Sequence, residues 1–308
     1  MIEGLVSIAI PAYKGTFLAE SIESALKQDY QNIELIIVND KSPYDLDSIV
    51  GRYNDSRIRY YVNKENLGKN NPVGNWNRCL ELARGEFFVL LCDDDLLCPN
   101  FVSELLSLAR KYPNCNVFHS RRLVKNEVTG IVEKSNEWPE WESLDSFYEN
   151  KLKWIRIHTI TEFMYRAEYV QKLKYISFPL AWGSDDISII NFAKDGGIAS
   201  SKSCLAVFRV NEGQLSKSDT HLVQKAKARI LNFYWVGEFF KGNPFDAEYM
   251  EHLRRLLIEF IKRASFVDKY RILAMAPRKS IGIKMKAKIA INILRGKYVH
   301  PGHGCIGV

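Results

Sequence analysis

Apolar positions in the first half of the chain fall into short runs separated by amphipathic stretches, the pattern of a parallel sheet flanked by helices. The spacing predicts a strand over 6–10, stopped by Pro11, and then a helix capped by Thr16 in which Leu18, Ile22, Ala25 and Leu26 share one face. A second strand over 33–38 is dense in β-branched residues, as burial on both faces requires, and it leads into the polar turn 39–43. A helix over 46–53, a strand over 58–62 and a polar loop over 63–72 follow. A helix through Trp76, Leu80 and Ala83 is expected to end at Gly85, and the fully apolar strand 87–91 runs into Cys92-Asp93-Asp94-Asp95. Pro99 is expected in the first turn of a helix over 101–112.

Beyond a strand over 117–123 the pattern predicts a hairpin at 127–132, an aromatic-rich excursion over 138–154, a returning strand at 159–165 and a helix at 167–173. Ser184 is placed to cap a helix that carries Asp185 and Asp186 in its first turn and stops at Gly196-Gly197. An extended stretch over 198–210 closes this half. From Asp219 onward the pattern is helical, over 223–240, 247–266 and 284–294. The fold class expected is α/β, with a C-terminal helical region over 217–308 following a domain of 1–216.

Composition changes this picture little. With 308 residues, 46% hydrophobic and 26% charged, the chain is long enough to bury a large core. The six cysteines are scattered without metal-ligand spacing and suggest reduced thiols. No apolar window is long enough to span a membrane, and the start lacks a signal-peptide pattern, so a cytoplasmic protein is expected. Charge is more informative. From His221 onward there are seventeen Lys and Arg against six Asp and Glu, a net +11, which leaves −4 for everything before it. That basic tail admits a helical packing domain with solvated lysines, or a dock on an anionic membrane face; without aromatic interleaving it does not suggest nucleic acid.

Candidate chemistry sits where strands or helices begin and end. Asp40 follows the second strand, Asp93–Asp95 the fourth, and Asp185-Asp186 open a helix. In an open α/β sheet, ligands bind at the carboxyl ends of the strands, so the first two groups should face one cleft. Three successive carboxylates repel one another unless a cation sits among them, and Mg²⁺ or Mn²⁺ shared with substrate phosphates would supply it. A solvated acidic turn before the next helix is the plain alternative.

The runs Val6–Tyr13, Ser21–Gln28, Glu34–Ser42, Asn63–Gly68, Asn77–Glu86 and Leu91–Pro99, in this order, resemble the inverting family-2 glycosyltransferases of GT-A fold, over roughly residues 5–215. The resemblance implies transfer of a sugar from a nucleotide-diphosphate donor, with UDP favoured, to a hydroxyl of a saccharide or lipid-linked saccharide, as in surface polysaccharide or glycan assembly. It places the nucleotide at Pro11, Ala12, Tyr13, Asp40 and Asn66. Where the family carries an Asp-x-Asp signature, this chain has Cys92-Asp93-Asp94, which makes Asp94 the metal ligand. Asp93 then meets the ribose or the metal's water, and Asp95 supports the metal from outside or contacts the acceptor. Asp185 matches the general base, with Asp186 its substitute if the register is one residue off. Arg209 could neutralise the diphosphate, with Asn211 beside it where the family often has His. Lys69 and Arg78 are similar candidates, with solvated surface charges as the plain alternative, and His158 and His221 have no assigned role. Two other classes compete. A nucleotidyltransferase would want a glycine-rich loop after strand one, which Pro11–Gly15 does not provide. A non-catalytic sugar-binding relative would not need an acid at each of these places.

Overall fold

The computed structural model describes residues 1–69, 71–211, 220–240 and 246–295. The expected boundary at 216/217 lies outside them. The chain divides into two compact units: Met1–Ser177 with Ser184–Gln214, and Phe178–Gly183 with Leu215–Val308.

The first unit is built on one twisted sheet. Its strands are β1 (Ile2–Ala12), β2 (Ile33–Asn39), β3 (Ile58–Val62), β4 (Gly85–Leu90), β5 (Leu96–Leu97), β6 (Val117–Asn126), β7 (Val132–Lys134), β8 (Trp141–Glu142), β9 (Phe163–Arg166) and β10 (Ile198–Val210). The order is β3-β2-β1-β4-β9-β6-β10-β5, with β7 on β6 and β8 on β10. β1 pairs in parallel with β2 and β4, β6 in parallel with β10, and β9 is antiparallel between β4 and β6. The mixed, mostly parallel sheet expected from the sequence is what forms.

Helices α1 (Leu18–Leu26), α2 (Leu46–Val50), α3 (Val73–Leu82), α4 (Phe101–Lys111), α5 (Leu144–Leu152), α6 (Ala167–Leu173) and α7 (Ser184–Phe192) complete the unit. Leu18, Ile22 and Ala25 of α1 and Phe101, Val102 and Leu105 of α4 join β1, β2 and β4 in one apolar core. Each such side chain contributes about 1.5–3 kcal/mol through burial. β2 is buried at all seven positions, and its one acid, Glu34, accepts from the Ser7 hydroxyl, the Arg84 N–H and the Arg59 and Arg84 guanidinium groups. Burial alone would raise the Glu34 carboxyl, but those donors together hold it below its ordinary value.

Several local expectations are corrected. β1 runs through Pro11, which pairs with Val38 on the β2 side, while pairing to β4 ends at Ala9. The absent proline N–H therefore falls where no ladder partner remains. Phe17, not Thr16, precedes α1 without a side-chain cap, and Asn100 rather than Pro99 precedes α4. Gly85 ends no helix; it starts β4, because a Cβ there would lie 2.5 Å from the Leu5 carbonyl oxygen.

The second unit is helical: α8 (Leu222–Phe239), α9 (Asp246–Arg263), α10 (Phe266–Met275) and α11 (Ile283–Leu294). Leu222, Ala226, Leu257, Phe260, Ile272 and Ile289 form its core, with Trp182 packed against it. The Lys225 ammonium lies 4.3 Å from the Trp182 ring centroid, and Asn232 Nδ2 donates to the Trp182 carbonyl at 3.3 Å. Leu180, Ala181 and Gly183 all take positive φ as the chain passes through this six-residue segment. The helix expected over 247–266 forms as α9 and ends at Arg263; α10 follows, with the Ser265 side chain accepting from the Asp268 N–H. No helix among the described residues is long and apolar enough to cross a membrane.

Candidate active site

Because β1 and β4 are adjacent and parallel, with Ala9 opposite Leu90, the loops after them emerge side by side. Asp93 joins those loops. Its Oδ2 accepts from the N–H groups of Tyr13 and Lys14, both at 2.7 Å, and burial pushes its carboxyl up to about 6 against the pull of those donors. Next along the sheet, Asp40 donates its N–H to the Ala12 carbonyl at 3.0 Å. Its Oδ1 accepts from Asn63 Nδ2 and the Leu67 N–H, and its Oδ2 from the Gly68 N–H at 2.6 Å. Gly68 is required for that approach, since a Cβ would lie 2.7 Å from Asp40 Oδ2. The loop over 63–68 is thus wrapped around one carboxylate, and within it Asn66 Oδ1 is buried with no hydrogen-bond partner. Pro11 and Ala12 lie within β1, with Ala12 fully buried; of that run, Tyr13 turns its side chain outward. Asn39 accepts from the Ser42 N–H and donates to the Tyr60 hydroxyl.

The remaining acids of the turn face different surroundings. Cys92, Asp94 and Asp95 each place a potential ligand atom within 4.8 Å of the others. The three are not equivalent. Asp95 is buried, accepting from Thr161 Oγ1 at 2.7 Å and from the Arg209 N–H at 3.1 Å, and burial followed by the Asp94 charge holds its carboxyl well above the ordinary range. Asp95 is only 2% exposed. Burial also drives the Cys92 thiol well upward, and a protonated thiol is a poor ligand for a hard cation. Asp94 accepts from Asn211 Nδ2 at 3.2 Å and is the acid of the three whose surroundings suit a divalent ion.

Arg209 sits near the end of β10. Its guanidinium is buried, paired with Glu20 and with Glu127 Oε1 at 3.1 Å, and stacked 4.6 Å from the Phe17 ring centroid. Two carboxylates therefore face the guanidinium.

The second acid group is at the start of α7. One ligand atom from each of His158, Asp185 and Asp186 lies within 4.8 Å of the others. Asp186 Oδ1 pairs with Lys151 Nζ at 2.6 Å and lies 3.6 Å from His158 Nε2. Burial, then the Lys151 ammonium, push the His158 imidazole well below its ordinary value, so it is neutral at pH 7. Asp186 is thus held by a cation, and Asp185 stands beside it.

One short segment links the two groups. Thr161 bonds to Asp95 and accepts from the Cys92 N–H at 3.2 Å, while His158 adjoins Asp186. They stand three positions apart, a span of at most about 11 Å of chain. The Tyr175 hydroxyl, pushed upward first by burial, feels the charge of Asp185. Sequence reasoning missed Lys151 and left His158 without a role. Neither has a local motif, and both reach the acids only through the packing of α5 and the 153–162 loop.

Residues 7–174 match the family model described as glycosyl transferase family 2. Among curated proteins, the chain is 39% identical over 114 residues to an uncharacterized glycosyltransferase of Rickettsia typhi, covering 37% of this chain and 34% of that one. It is 32% identical over 140 residues to the GalNAc(5)-diNAcBac-PP-undecaprenol beta-1,3-glucosyltransferase of Campylobacter jejuni, covering 43% and 45%. These matches span less than half the length of either relative. Among solved structures, S. aureus TarS 1-349 in complex with UDP-GlcNAc superposes with a TM-score of 0.66 at 15% identity, over 95% of this chain and 91% of that one. The mannosyltransferase PcManGT of Pyrobaculum calidifontis, in complex with GDP-Man and Mn2+, gives 0.56 at 16% identity, over 96% and 87%. At such identities the likeness speaks for the fold. With more than half of its 308 residues matched by the family model, and with GT-A enzymes as its structural neighbours, the chain belongs to glycosyl transferase family 2.

Proposed function

We propose that the protein is a metal-dependent inverting glycosyltransferase that moves a hexosyl or N-acetylhexosaminyl group from a nucleotide-diphosphate donor to a hydroxyl of a saccharide or lipid-linked acceptor, in glycan assembly. The observation that carries this reading is the single segment 158–162, which ties the Cys92–Asp95 turn to the start of α7. One-step inversion needs both ends: charge compensation for the leaving diphosphate and a base for the incoming hydroxyl.

On this reading Asp40, the Asn66 carbonyl oxygen and the Tyr13 ring hold the base, with UDP favoured. Relatives in this fold bind UDP-GlcNAc and GDP-Man. Asp94, with Asp93 beside it, holds the ion, and the donor set of one or two carboxylates plus phosphate oxygens suits Mn²⁺ or Mg²⁺. Such an ion, when bound, compensates the charge that builds on the diphosphate. Asp185 takes the proton of the acceptor hydroxyl, and Asp186, neutralised by Lys151, keeps its neighbour in place. Residues 1–216 act as the catalytic domain and 217–308 as a separate helical region, in the cytoplasm. A screen of nucleotide sugars for donor hydrolysis with Mn²⁺, repeated with chelator, tests the proposal. Turnover with no nucleotide sugar, or turnover indifferent to chelator, would overturn it.

A further inference from the structure

α11 is apolar on two sides. Ile289 and Ile293 are buried and join Ile281 in the core of the helical unit. On the opposite side, Ile283 is 66%, Ile291 46% and Leu294 69% exposed. With the exposed Ala287 these positions follow the i, i+4, i+8, i+11 spacing of one helical stripe. Exposed Lys284, Lys288 and Arg295 stand one residue beyond Ile283, Ala287 and Leu294 and so border that stripe with cations. From residue 269 to residue 295 the chain carries eight Lys and Arg and no Asp or Glu. A helix serving only to pack its own unit would use one apolar face, and leaving a second in water forgoes about 25 cal/mol for each Å² that burial would remove from solvent. The arrangement is that of a helix lying in a membrane interface rather than crossing it.

We propose that the exposed face of α11 docks onto an anionic lipid bilayer, with Ile283, Ile291 and Leu294 entering the headgroup boundary and Lys284, Lys288 and Arg295 meeting lipid phosphates. Charge selects this occupant. A second copy of the chain would bring the same cations against themselves, which like-charge repulsion opposes. Nucleic acid would satisfy the cations but offers no apolar layer to a row of aliphatic side chains. The inference is independent of the catalytic reading, since it uses no residue of the acid groups.

Co-sedimentation of the full chain with vesicles tests it, using phosphatidylcholine alone and phosphatidylcholine with about one third phosphatidylglycerol. The protein is expected to bind the anionic vesicles, to leave the neutral ones, and to be released as salt rises toward about 0.5 M. The triple variant Ile283→Gln, Ile291→Gln, Leu294→Gln keeps the net charge and alters only exposed positions. It should lose at least about tenfold in partition while its melting temperature is unchanged. The charge variant Lys284→Glu, Lys288→Glu should lose as much. Equal partition of the triple variant and the wild type would overturn the proposal, as would failure of the wild type to bind anionic vesicles at low salt. A dimer in light scattering that the triple variant abolishes, without vesicle binding, would assign the face to a second copy and overturn it equally.

Discussion

Asp93, Asp94 and Asp95 are neighbours in sequence, yet each is given a different task by what it touches. Asp93 clamps the turn at Tyr13 and Lys14, Asp95 anchors Thr161 and the Arg209 backbone, and Asp94 faces the Asn211 amide. Asp94→Ala is therefore expected to abolish transfer and to weaken Mn²⁺-dependent binding of nucleoside diphosphate, read by calorimetry, while the fold survives. Full turnover in that variant would remove the metal from the mechanism. Asp185→Asn should leave donor affinity nearly intact and lower kcat by about 10²–10⁴, the range a positioned base supplies. If Asp186→Asn shows that signature instead, the two acids exchange roles. Lys151→Met leaves Asp186 without its cation beside Asp185. We expect kcat to fall roughly tenfold, about 1.4 kcal/mol in barrier height, with donor KM unchanged and with recovery in Lys151→Arg.

Between elements, one close constraint is the approach of β4 to β1. Gly85→Ala would put a Cβ 2.5 Å from the Leu5 carbonyl oxygen and 2.8 Å from the Ser7 N atom. Overpacking of this kind costs about 1–3 kcal/mol, to be read as a lower denaturation midpoint, and an unchanged midpoint would mean that the strands can separate freely there. β3, α6 and β10 follow the bounds their sequence patterns predict. Proline and cap signals proved less reliable. Pro11 is tolerated inside β1 because its neighbour strand has already ended, a fact of the sheet and not of the local residues. The break between α9 and α10 was legible as Ser265 followed by Asp268, but apolar periodicity running across it hid the signal. The acids were visible because they cluster in sequence, whereas Lys151, His158 and the Glu20–Arg209–Glu127 group are assembled only by folding.

For the molecule as a whole, buried imidazoles set one limit of stability. Burial first, opposed by Glu162, lowers the His119 imidazole, and His158 is lowered further still. In the unfolded chain both titrate near about 6.5. Below that pH the unfolded state takes up protons that the folded state refuses, so the stability present above about 6.5 is lost as pH falls toward the folded values. Asp93 and Asp95, raised by burial, act in the opposite sense, so the imidazole effect is isolated by difference. Relative to His119→Gln, the wild type should lose stability progressively from pH 6.5 downward, measured by denaturation at each pH. A constant difference would contradict the assignment.

The six residues 178–183 belong to the helical unit, yet the chain enters them from Ser177 and leaves them at Ser184, one residue before Asp185. They carry three positive-φ residues, and a Cβ on Gly183 would lie 2.1 Å from Asn232 Nδ2. This makes the chain poorly modular. Recombination that exchanges only the stretch after residue 214 hands Trp182 and Gly183 a foreign set of neighbours, whereas recombination that carries 178–183 along keeps them together. Chimeras between relatives should accordingly sort into two classes at the level of soluble yield, and the dividing variable should be the ancestry of these six residues rather than the overall similarity of the exchanged tails.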